Sequence, residues 1–236
     1  MGTAGNSAAS VLEKLRGLNP SLEILPIEDA AFQRYGKVLR GYHTAGLQKL
    51  LAARRIASDR ADYEPGCLSR EAPASEIEPF ARDIFGGLAD LQVGCVHGRN
   101  AKLNALEYHK SSEVVVVGAD MIVFVGLASD IQWPSATYDL SRAQAFFVPR
   151  GTVFEMYPWC LHYAPAHASL AEGFRCAVIL PRGTNTEVDF PANRAGEGRL
   201  LLGKNKWVLA HAEEESLRAL SAHPGLQGVN VELRTL

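Results

Sequence analysis

Three side chains between residues 103 and 113 have types and a spacing that could hold a metal ion. Alternate side chains of a β-strand point to the same face of its sheet, so Glu107 and His109 point the same way. Glu113 shares their parity and reaches the same pocket if residues 110–112 stay extended or form a small bulge. Two carboxylates and an imidazole that converge in this way suit a divalent metal ion. The alternative for both glutamates is a solvated position at a strand end.

A second segment, from residue 146 to residue 162, supplies further candidates. A Pro149-x-Gly151 turn precedes a strand, and Glu155 and His162 lie among apolar and aromatic residues. Burial of an ionisable group is costly unless the group is paired or ligated, so each must face a polar cavity or lie at a strand end in water. His162 is therefore a metal ligand or a core histidine bonded to a backbone carbonyl. Glu155 is a site residue or lies on the outer face of its strand.

Two lysines flank the first segment and could act on a substrate. One of Lys102 and Lys110 could neutralise a substrate carboxylate or stabilise a developing oxyanion, although an exposed lysine is usually only solvated. Lys102 is the lysine that we carry forward as a catalytic candidate. The other catalytic candidates are Glu113 and Glu155, either of which would move a proton with a pKa raised by burial.

The elements that must position these residues are short strands. From about residue 90 onward, runs rich in Val, Ile and Phe are separated by turn residues at the spacing of an all-β barrel or sandwich. The predicted strands are Leu91–Val96, Ala105–His109, Val114–Val117, Met121–Gly126, Gln144–Val148, Thr152–Tyr157, Arg175–Pro181 and Lys204–Ala210. The predicted helices are Ser10–Leu18, Gly46–Ile56 and Glu213–Ala222.

The chain is predicted to form one structural unit with an N-terminal extension. Residues 1–10 are expected to be a disordered tail, because they are small and polar. Residues 11–89 are expected to form helices and loops packed on the barrel of residues 90–236, which ends in a short helix. Within the extension, residues 57–79 are rich in proline and charged residues, which favours a loop or lid over the surface.

The two chemical segments resemble the two halves of the cupin signature. That signature is His-x-His, three or four residues and Glu, followed later by Pro-x-Gly and a further His. In this chain Glu107 stands at the first His, and Phe154 stands three residues after Gly151, where the last His is usual. The resemblance therefore implies that Glu155 or His162 takes the place of that last histidine.

Within the cupins, the chain resembles the ureidoglycolate lyase group, and it is more similar still to an uncharacterised bacterial family related to that lyase. Glu113 departs from the lyase pattern, which tends to have Gln at this position. The second resemblance extends over residues 10–236. The stretches that carry the two resemblances are residues 25–38, Glu107-x-His109, Trp159-x-x-His162, residues 106–113 and residues 203–207.

These resemblances imply a fold, a cofactor and a class of function. The expected fold is a mainly β, cupin-type double-stranded β-helix, or jelly-roll barrel, that pairs as a homodimer. The expected function is that of a metal-dependent lyase or isomerase acting on a small hydroxy acid, ureido acid or sugar derivative. A non-catalytic barrel that binds a metabolite or sugar, and an iron-dependent dioxygenase, are the alternatives. The divalent ion (Mn, Zn, Fe or Ni) would be held by Glu107, His109, Glu113 and His162.

Composition and charge disfavour several other classes of protein. The 236 residues carry a formal net charge of −2, so there is no basic excess to neutralise a nucleic-acid backbone. The longest apolar stretch, residues 114–127, is too short and interrupted to span a bilayer, and the N-terminus lacks the pattern of a secretory signal. The four cysteines contain no CxxC pair, which disfavours a zinc knuckle, and without a secretory signal their thiols are expected to be reduced. We therefore expect a cytoplasmic protein with a small-molecule substrate and neither a nucleic-acid nor a membrane partner.

Overall fold

The computed structural model describes residues 3–56, 59–191, 193 and 195–236. Within these residues, no helix is long and apolar enough to cross a membrane. The described α-helices are α1 (Thr3–Leu18), α2 (Ala45–Ala53), α3 (Ala74–Asp83) and α4 (Glu215–Ala219).

Helix α1 begins earlier than the sequence predicted. Its start at Thr3 places residues 3–10 in a helix, where a disordered tail was expected, and residues 1 and 2 lie outside the described residues. Alanine, which recurs in this stretch, has the highest helix propensity of all residues. The later turns of α1 bury Leu12 and Leu15 in the hydrophobic core, and this packing stabilises the helix as a whole.

The described residues form sixteen strands, eight of which close a barrel from two sheets. The strands are β1 (Ile24–Pro26), β2 (Gly36–Val38), β3 (Ala61–Glu64), β4 (Leu91–Gly98), β5 (Ala105–Tyr108), β6 (Glu113–Val117), β7 (Met121–Leu127), β8 (Tyr138–Asp139), β9 (Gln144–Val148), β10 (Val153–Met156), β11 (Cys160–Leu161), β12 (Ala166–His167), β13 (Phe174–Pro181), β14 (Leu201–Gly203), β15 (Lys206–Ala210) and β16 (Leu226–Gln227).

The order of these strands identifies the barrel as a cupin-type jelly roll. One sheet has the order β10-β6-β13-β4, with β2 and β3 added at its two edges. The other has the order β9-β7-β11, and a bridge between Glu107 and His162 joins β5 to it beside β11. Along the chain, the barrel strands cross from one sheet to the other at every step except that from β7 to β9. This is the double-sheet jelly roll of cupins, and the predicted fold is confirmed.

Apolar side chains fill most of the barrel and also cover both of its outer faces. Strand β6 shows this directly, because Val115 faces the interior cluster while Val114 and Val116 join the cluster outside the same sheet. Helices α2 and α3 cover that outer face through Leu51 and Phe80, among others. Because β6 is buried on both faces, its sequence is a continuous apolar run rather than an alternating one.

The segment predicted as a loop or lid, residues 57–79, contains regular structure. Strand β3 pairs antiparallel with β4, and α3 begins at Ala74 and continues through Pro79; residues 57 and 58 lie outside the described residues. Neither element has the sequence pattern by which a strand or a helix is usually predicted. Strand β3 is polar because it is an edge strand, and α3 is stabilised by the burial of Glu76 and Phe80, one helical turn apart.

The C-terminal region returns to the barrel beside the first chemical segment. Strands β14 and β15 form a hairpin, and β15 pairs antiparallel with β5. In this register Trp207 lies opposite Tyr108 and Val208 lies opposite Glu107. The hairpin therefore brings residues 203–207, which are remote in sequence, next to Glu107 and His109.

Candidate functional site

Glu107 and His162 come from adjacent strands at the barrel interior. Glu107 lies in β5, and His162 directly follows β11. The Glu107 amide donates a hydrogen bond to the His162 carbonyl at 2.6 Å, and the His162 amide donates one to the Glu107 carbonyl at 2.8 Å. Directly paired residues share a face of the sheet, so both buried side chains point into the same cavity.

The imidazoles of His109 and His162 are oriented by backbone carbonyls. His109 Nδ1 lies 2.5 Å from the Asn205 carbonyl oxygen, and His162 Nδ1 lies 3.0 Å from the Cys160 carbonyl oxygen. A carbonyl oxygen only accepts hydrogen bonds, so each Nδ1 carries a proton. The Nε2 atom of each ring is buried without a hydrogen-bond partner among the described residues. A ring oriented through Nδ1, with Nε2 unpartnered, is typical of a metal-binding histidine.

Glu113, at the start of β6, faces both imidazoles. Its Oε2 lies 3.4 Å from His109 Nε2 and 3.6 Å from His162 Nε2, which are ion-pair distances without the alignment of a hydrogen bond. Burial by itself would raise the pKa of Glu113, but the two histidines hold it down, at about 2. The expectation that burial raises the pKa of this carboxyl is therefore wrong, because neighbouring positive charge outweighs desolvation.

The same interaction acts on His162 in the opposite sense. Burial by itself would lower the pKa of its imidazole, but Glu113 and Cys160 hold that pKa well above its usual value. The contact between Glu113 and His162 thus favours the charged form of both groups.

The donor atoms fit a divalent metal ion. One ligand atom each from Glu107, His109 and His162 lies within 4.8 Å of the other two, and these three buried residues could hold an ion. Glu113 lies beside the same two imidazoles, so the structure brings together all four predicted ligands. Two imidazole nitrogens and carboxylate oxygen suit Mn, Fe, Ni or Zn. An ion at this point would also satisfy the two unpartnered Nε2 atoms, which are otherwise a rare feature of a protein interior.

Lys206 is a site residue that the sequence reading did not identify. Its Nζ lies 2.7 Å from Glu107 Oε2 and 5.8 Å from the centre of the Tyr163 ring, and its side chain is 18% exposed. The stretch of residues 203–207 stood out in the sequence, and strand alternation gives Lys206 and Val208 a common face. The missing information was the strand that pairs with β15, because that pairing alone brings the ammonium group to Glu107.

Three of the four predicted ligands, all but His109, line the polar end of a barrel cavity of about 100 Å³. Glu107, Glu113, His162 and Lys206 line it, together with the side chains of Tyr63, Tyr163 and Asn185. Burial raises the pKa of the Tyr63 hydroxyl to about 12, so this group is a neutral hydrogen-bonding hydroxyl at the pH of a cell. The remainder of the barrel lining is mostly apolar and includes Val115, Met121, Val123, Phe154, Met156 and Val178.

The structure does not bring Glu155 or Lys102 to this cluster. Glu155 lies opposite Val114 in the β10–β6 pairing, so its side chain is on the outer face of the sheet. There it accepts a hydrogen bond from Ser112 Oγ at 2.7 Å and lies 3.2 Å from Lys37 Nζ. Phe154 and Met156, on either side of Glu155 in β10, line the cavity instead. Lys102 pairs with Glu232, its Nζ 3.5 Å from Oε2, at the edge of the C-terminal segment.

Lys110, the second flanking lysine, also points away from the cavity. Its Nζ lies 2.7 Å from Glu197 Oε2 and 5.0 Å from the centre of the Trp207 ring. Trp207 stacks on Tyr108, whose hydroxyl donates to Glu197 at 2.5 Å. These contacts attach the segment around Glu197 to the outer face of β5 and β15, which is a structural role.

Comparison with known families assigns the chain to one of them. Residues 24–231 match the family described as "Domain of unknown function (DUF4867)". The chain belongs to this family. The resemblance to an uncharacterised family is thereby confirmed, whereas a relation between DUF4867 and the ureidoglycolate lyases stays a prediction. No curated protein matches the chain.

Solved structures that resemble the chain do so distantly. Vicilin from hazelnut (Corylus avellana) is 7% identical, and the match covers 74% of this chain and 41% of that one, with a TM-score of 0.34. Procruciferin from Brassica napus is 10% identical over 77% and 39% of the two chains, with a TM-score of 0.36. A variant of oxalate decarboxylase from B. subtilis is 12% identical over 86% and 42%, with a TM-score of 0.34. The chain spans less than half the length of each of these structures, and the scores are too low to transfer any property to it.

Proposed function

We propose that this protein is a metal-dependent lyase or isomerase that acts on a small hydroxy acid, ureido acid or sugar derivative. The observation that supports the proposal is the pair of buried, unpartnered Nε2 atoms of His109 and His162, which meet Glu107 and Glu113 at the polar end of a cavity. A divalent ion would be held by these four residues. The polar end offers donors for oxygen atoms of a ligand, and the closed barrel limits the ligand to a small molecule.

A bound divalent ion would supply Lewis acidity towards a substrate hydroxyl and an adjacent carbonyl or carboxylate oxygen. Glu113 would accept and return the substrate proton at Oε2, since it is the carboxylate that faces both imidazoles and lines the cavity. The Asn205 and Cys160 carbonyls would keep His109 and His162 in one orientation throughout. The apolar part of the barrel would exclude water from the reacting atoms.

The first test is elemental analysis of protein purified without added metal or chelator. We expect close to one Mn, Fe, Ni or Zn ion per chain in the unmodified protein and the loss of that metal from a His109→Ala variant, which lacks one of the proposed ligands. His43→Ala is the matched control, because His43 is an exposed histidine outside the cavity. Absence of metal from the unmodified protein, even after reconstitution, would overturn the proposal.

The second test separates catalysis from binding. In a screen of hydroxy acids, ureido acids and sugar acids, we expect product formation by the unmodified protein. A Glu113→Gln variant that still binds metal should form product at least roughly 100-fold more slowly, because Gln cannot move a proton. Unchanged turnover in Glu113→Gln would contradict the role of Glu113. A ligand that binds and is recovered unchanged would instead indicate a binding barrel, and oxygen uptake with Fe(II) would indicate a dioxygenase.

A further inference from the structure

The lining of the barrel cavity divides into two chemically different parts. One end carries the ionisable side chains of Glu107, Glu113, His162 and Lys206. The rest of the barrel surface is largely hydrocarbon and thioether, from Val115, Val123, Phe154 and Met156 with their neighbours. A ligand that fills this cavity therefore needs a polar end of a few atoms and an apolar end.

The net charge of the groups at the polar end favours a ligand with one negative charge. Glu107 and Glu113 contribute two carboxylates, and Lys206 contributes one ammonium group, 2.7 Å from Glu107. With neutral imidazoles and a divalent ion, these groups leave a single positive charge in a buried site. Asp62 also lines the cavity, but its side chain is 36% exposed and its carboxylate lies 3.3 Å from Arg60 Nε, so its charge is solvated and paired and is left out of this count. A buried excess charge is unfavourable unless a ligand compensates it, so a monoanion is the complementary ligand.

Lys206 is the group that distinguishes this anion from a neutral ligand. It is the lysine in the cavity lining, and its flexible stem lets the ammonium group turn from Glu107 to a ligand oxygen. Once a divalent ion engages Glu107, the ammonium group loses part of its present partner and can bind a carboxylate in addition.

We propose that the cavity binds the monoanion of a short aliphatic 2-hydroxy or 2-oxo acid, with its carboxylate against Lys206 and its hydrocarbon end on the apolar lining. The charge count rests on the divalent ion of the proposed function, whereas the apolar lining does not. Of the three substrate classes considered above, the apolar lining and the single positive charge favour the hydroxy acid. The hydroxyl groups of a sugar, or a ureido group, would reach hydrocarbon surface such as Val123 and Phe154 and lose their hydrogen bonds to water.

Three four-carbon probes test the two halves of the inference separately. The first is 2-hydroxybutyrate, which has the charge and the apolar end. The second, 2-hydroxybutyramide, keeps the shape without the charge, and the third, erythronate, keeps the charge but has hydroxyls on the carbon tail. Binding is measured by calorimetry on the protein as purified, and the metal content is determined on the same sample. We expect 2-hydroxybutyrate to bind about 10- to 100-fold more tightly than either of the others.

The variant that decides the role of Lys206 is Lys206→Met, which keeps most of the side-chain length and removes the charge. We expect the preference for the acid over the amide to fall from at least tenfold to within about threefold, with the preference over erythronate kept. Lys204→Met is the matched control, because Lys204 is in the same hairpin but pairs with Asp189 outside the cavity. It should bind all three probes as the unmodified protein does.

The outcomes separate this inference from the proposed function. Equal binding of acid and amide, erythronate binding as tightly as 2-hydroxybutyrate, or no binding of any probe at millimolar concentration would each overturn the inference. An unchanged ratio of acid to amide affinity in Lys206→Met would overturn the role of the lysine. Metal content is judged independently: a metal-free protein would overturn the proposed function, while the probe ratios would still decide the inference.

Discussion

Asn205, at the turn between β14 and β15, connects the C-terminal hairpin to the proposed metal-binding cluster. Its carbonyl oxygen accepts from His109 Nδ1 at 2.5 Å, and its Oδ1 accepts from the Lys110 amide at 2.8 Å. Its Nδ2 donates to Ser111 Oγ at 3.0 Å and to Thr184 Oγ1 at 3.2 Å. The backbone of Asn205 has a φ of 55°, a left-handed conformation that asparagine tolerates better than most residues. One asparagine thus orients the His109 imidazole and holds residues 110 and 111, which follow that histidine.

We predict that Asn205→Gly weakens metal binding without abolishing it. Glycine tolerates the left-handed backbone and keeps the carbonyl, but it removes the three side-chain hydrogen bonds that hold this carbonyl against His109. We expect a loss of about tenfold in metal affinity, as for other residues that orient a metal ligand. Calorimetric metal titration of the chelator-treated protein measures it.

A control for this prediction is Ser221→Gly, which changes another residue of positive φ, 61°, that is exposed and does not line the cavity. The metal affinity of this control should match that of the unmodified protein. If Asn205→Gly also bound metal as tightly as the unmodified protein, the side chain of Asn205 would have no role in orienting His109.

At the scale of single elements, helix α2 begins with a cap that another helix supplies. Thr44, the residue before α2, makes no side-chain capping hydrogen bond. Instead, Glu76 of α3 accepts from the Gly46 amide at 2.7 Å and from the Leu47 amide at 3.0 Å. The buried carboxylate satisfies two amides that an isolated helix leaves without partners and compensates the positive end of the helix dipole. Glu76 therefore fixes α2 to α3 over the outer face of the sheet.

We predict that Glu76→Ala lowers the free energy of unfolding by about 1–3 kcal/mol, because the amides of Gly46 and Leu47 lose their hydrogen-bond acceptor. Denaturant unfolding followed by circular dichroism measures this change. Glu78→Ala is the control, since Glu78 is an exposed carboxylate in the same helix. Metal content should be unchanged in both variants, because neither residue lines the cavity. Equal stability of the two variants would show that the cap contributes nothing.

At the scale of the whole molecule, the barrel interior buries the Glu113 carboxyl group beside the His162 imidazole, and the interaction between them depends on pH. The pKa of Glu113, about 2, is below its usual value of 4.5, so its contribution to stability is present above pH 4.5 and is lost as the pH falls towards 2. The pKa of His162 is raised above its usual value of 6.5, so its contribution is complete below pH 6.5 and is lost as the pH rises through the raised pKa.

We predict that this pair stabilises the metal-free protein most between pH 4.5 and pH 6.5, where both contributions are present. The measurement is the free energy of unfolding of chelator-treated protein from pH 3 to pH 9, beside that of a Glu113→Gln variant. The difference between the two proteins should be largest inside this window and shrink on its acid side as Glu113 takes up a proton. A difference that is constant across the whole range would contradict the pairing.

Other properties of the whole molecule stay predictions from the sequence. Pairing into a homodimer and a cytoplasmic location belong here, as does the absence of nucleic-acid and membrane partners. The identity of the metal among Mn, Zn, Fe and Ni also belongs here. Elemental analysis addresses the last of these directly.

The positions of the strands, and the common face of Glu107, His109 and Glu113, were predictable because both are local properties of the chain. Strand β9 has the predicted bounds, and Glu107, His109 and Glu113 converge as their parity requires. Glu155 has the burial expected of a site residue but lies on the outer face of β10. Its sequence neighbours are apolar on both sides, because both faces of that sheet are covered, so alternation could not tell the inner face from the outer one.

By itself, the sequence determined where most of the barrel strands lie along the chain and which residues could bind a metal, because periodicity and spacing act within single elements. The strand pattern fitted a barrel or a sandwich, and the resemblance to cupins selected the barrel. The tertiary structure alone decided which remote residues join that group. The pairing of β15 with β5 places Lys206 against Glu107 and Asn205 against His109. The two histidines beside Glu113 reversed the expected direction of its pKa shift. The contacts of Lys206 and Asn205 join residues about a hundred positions apart, and His162 also reaches Glu113 from a different segment of the chain. The free energy of such contacts has no signature in local sequence.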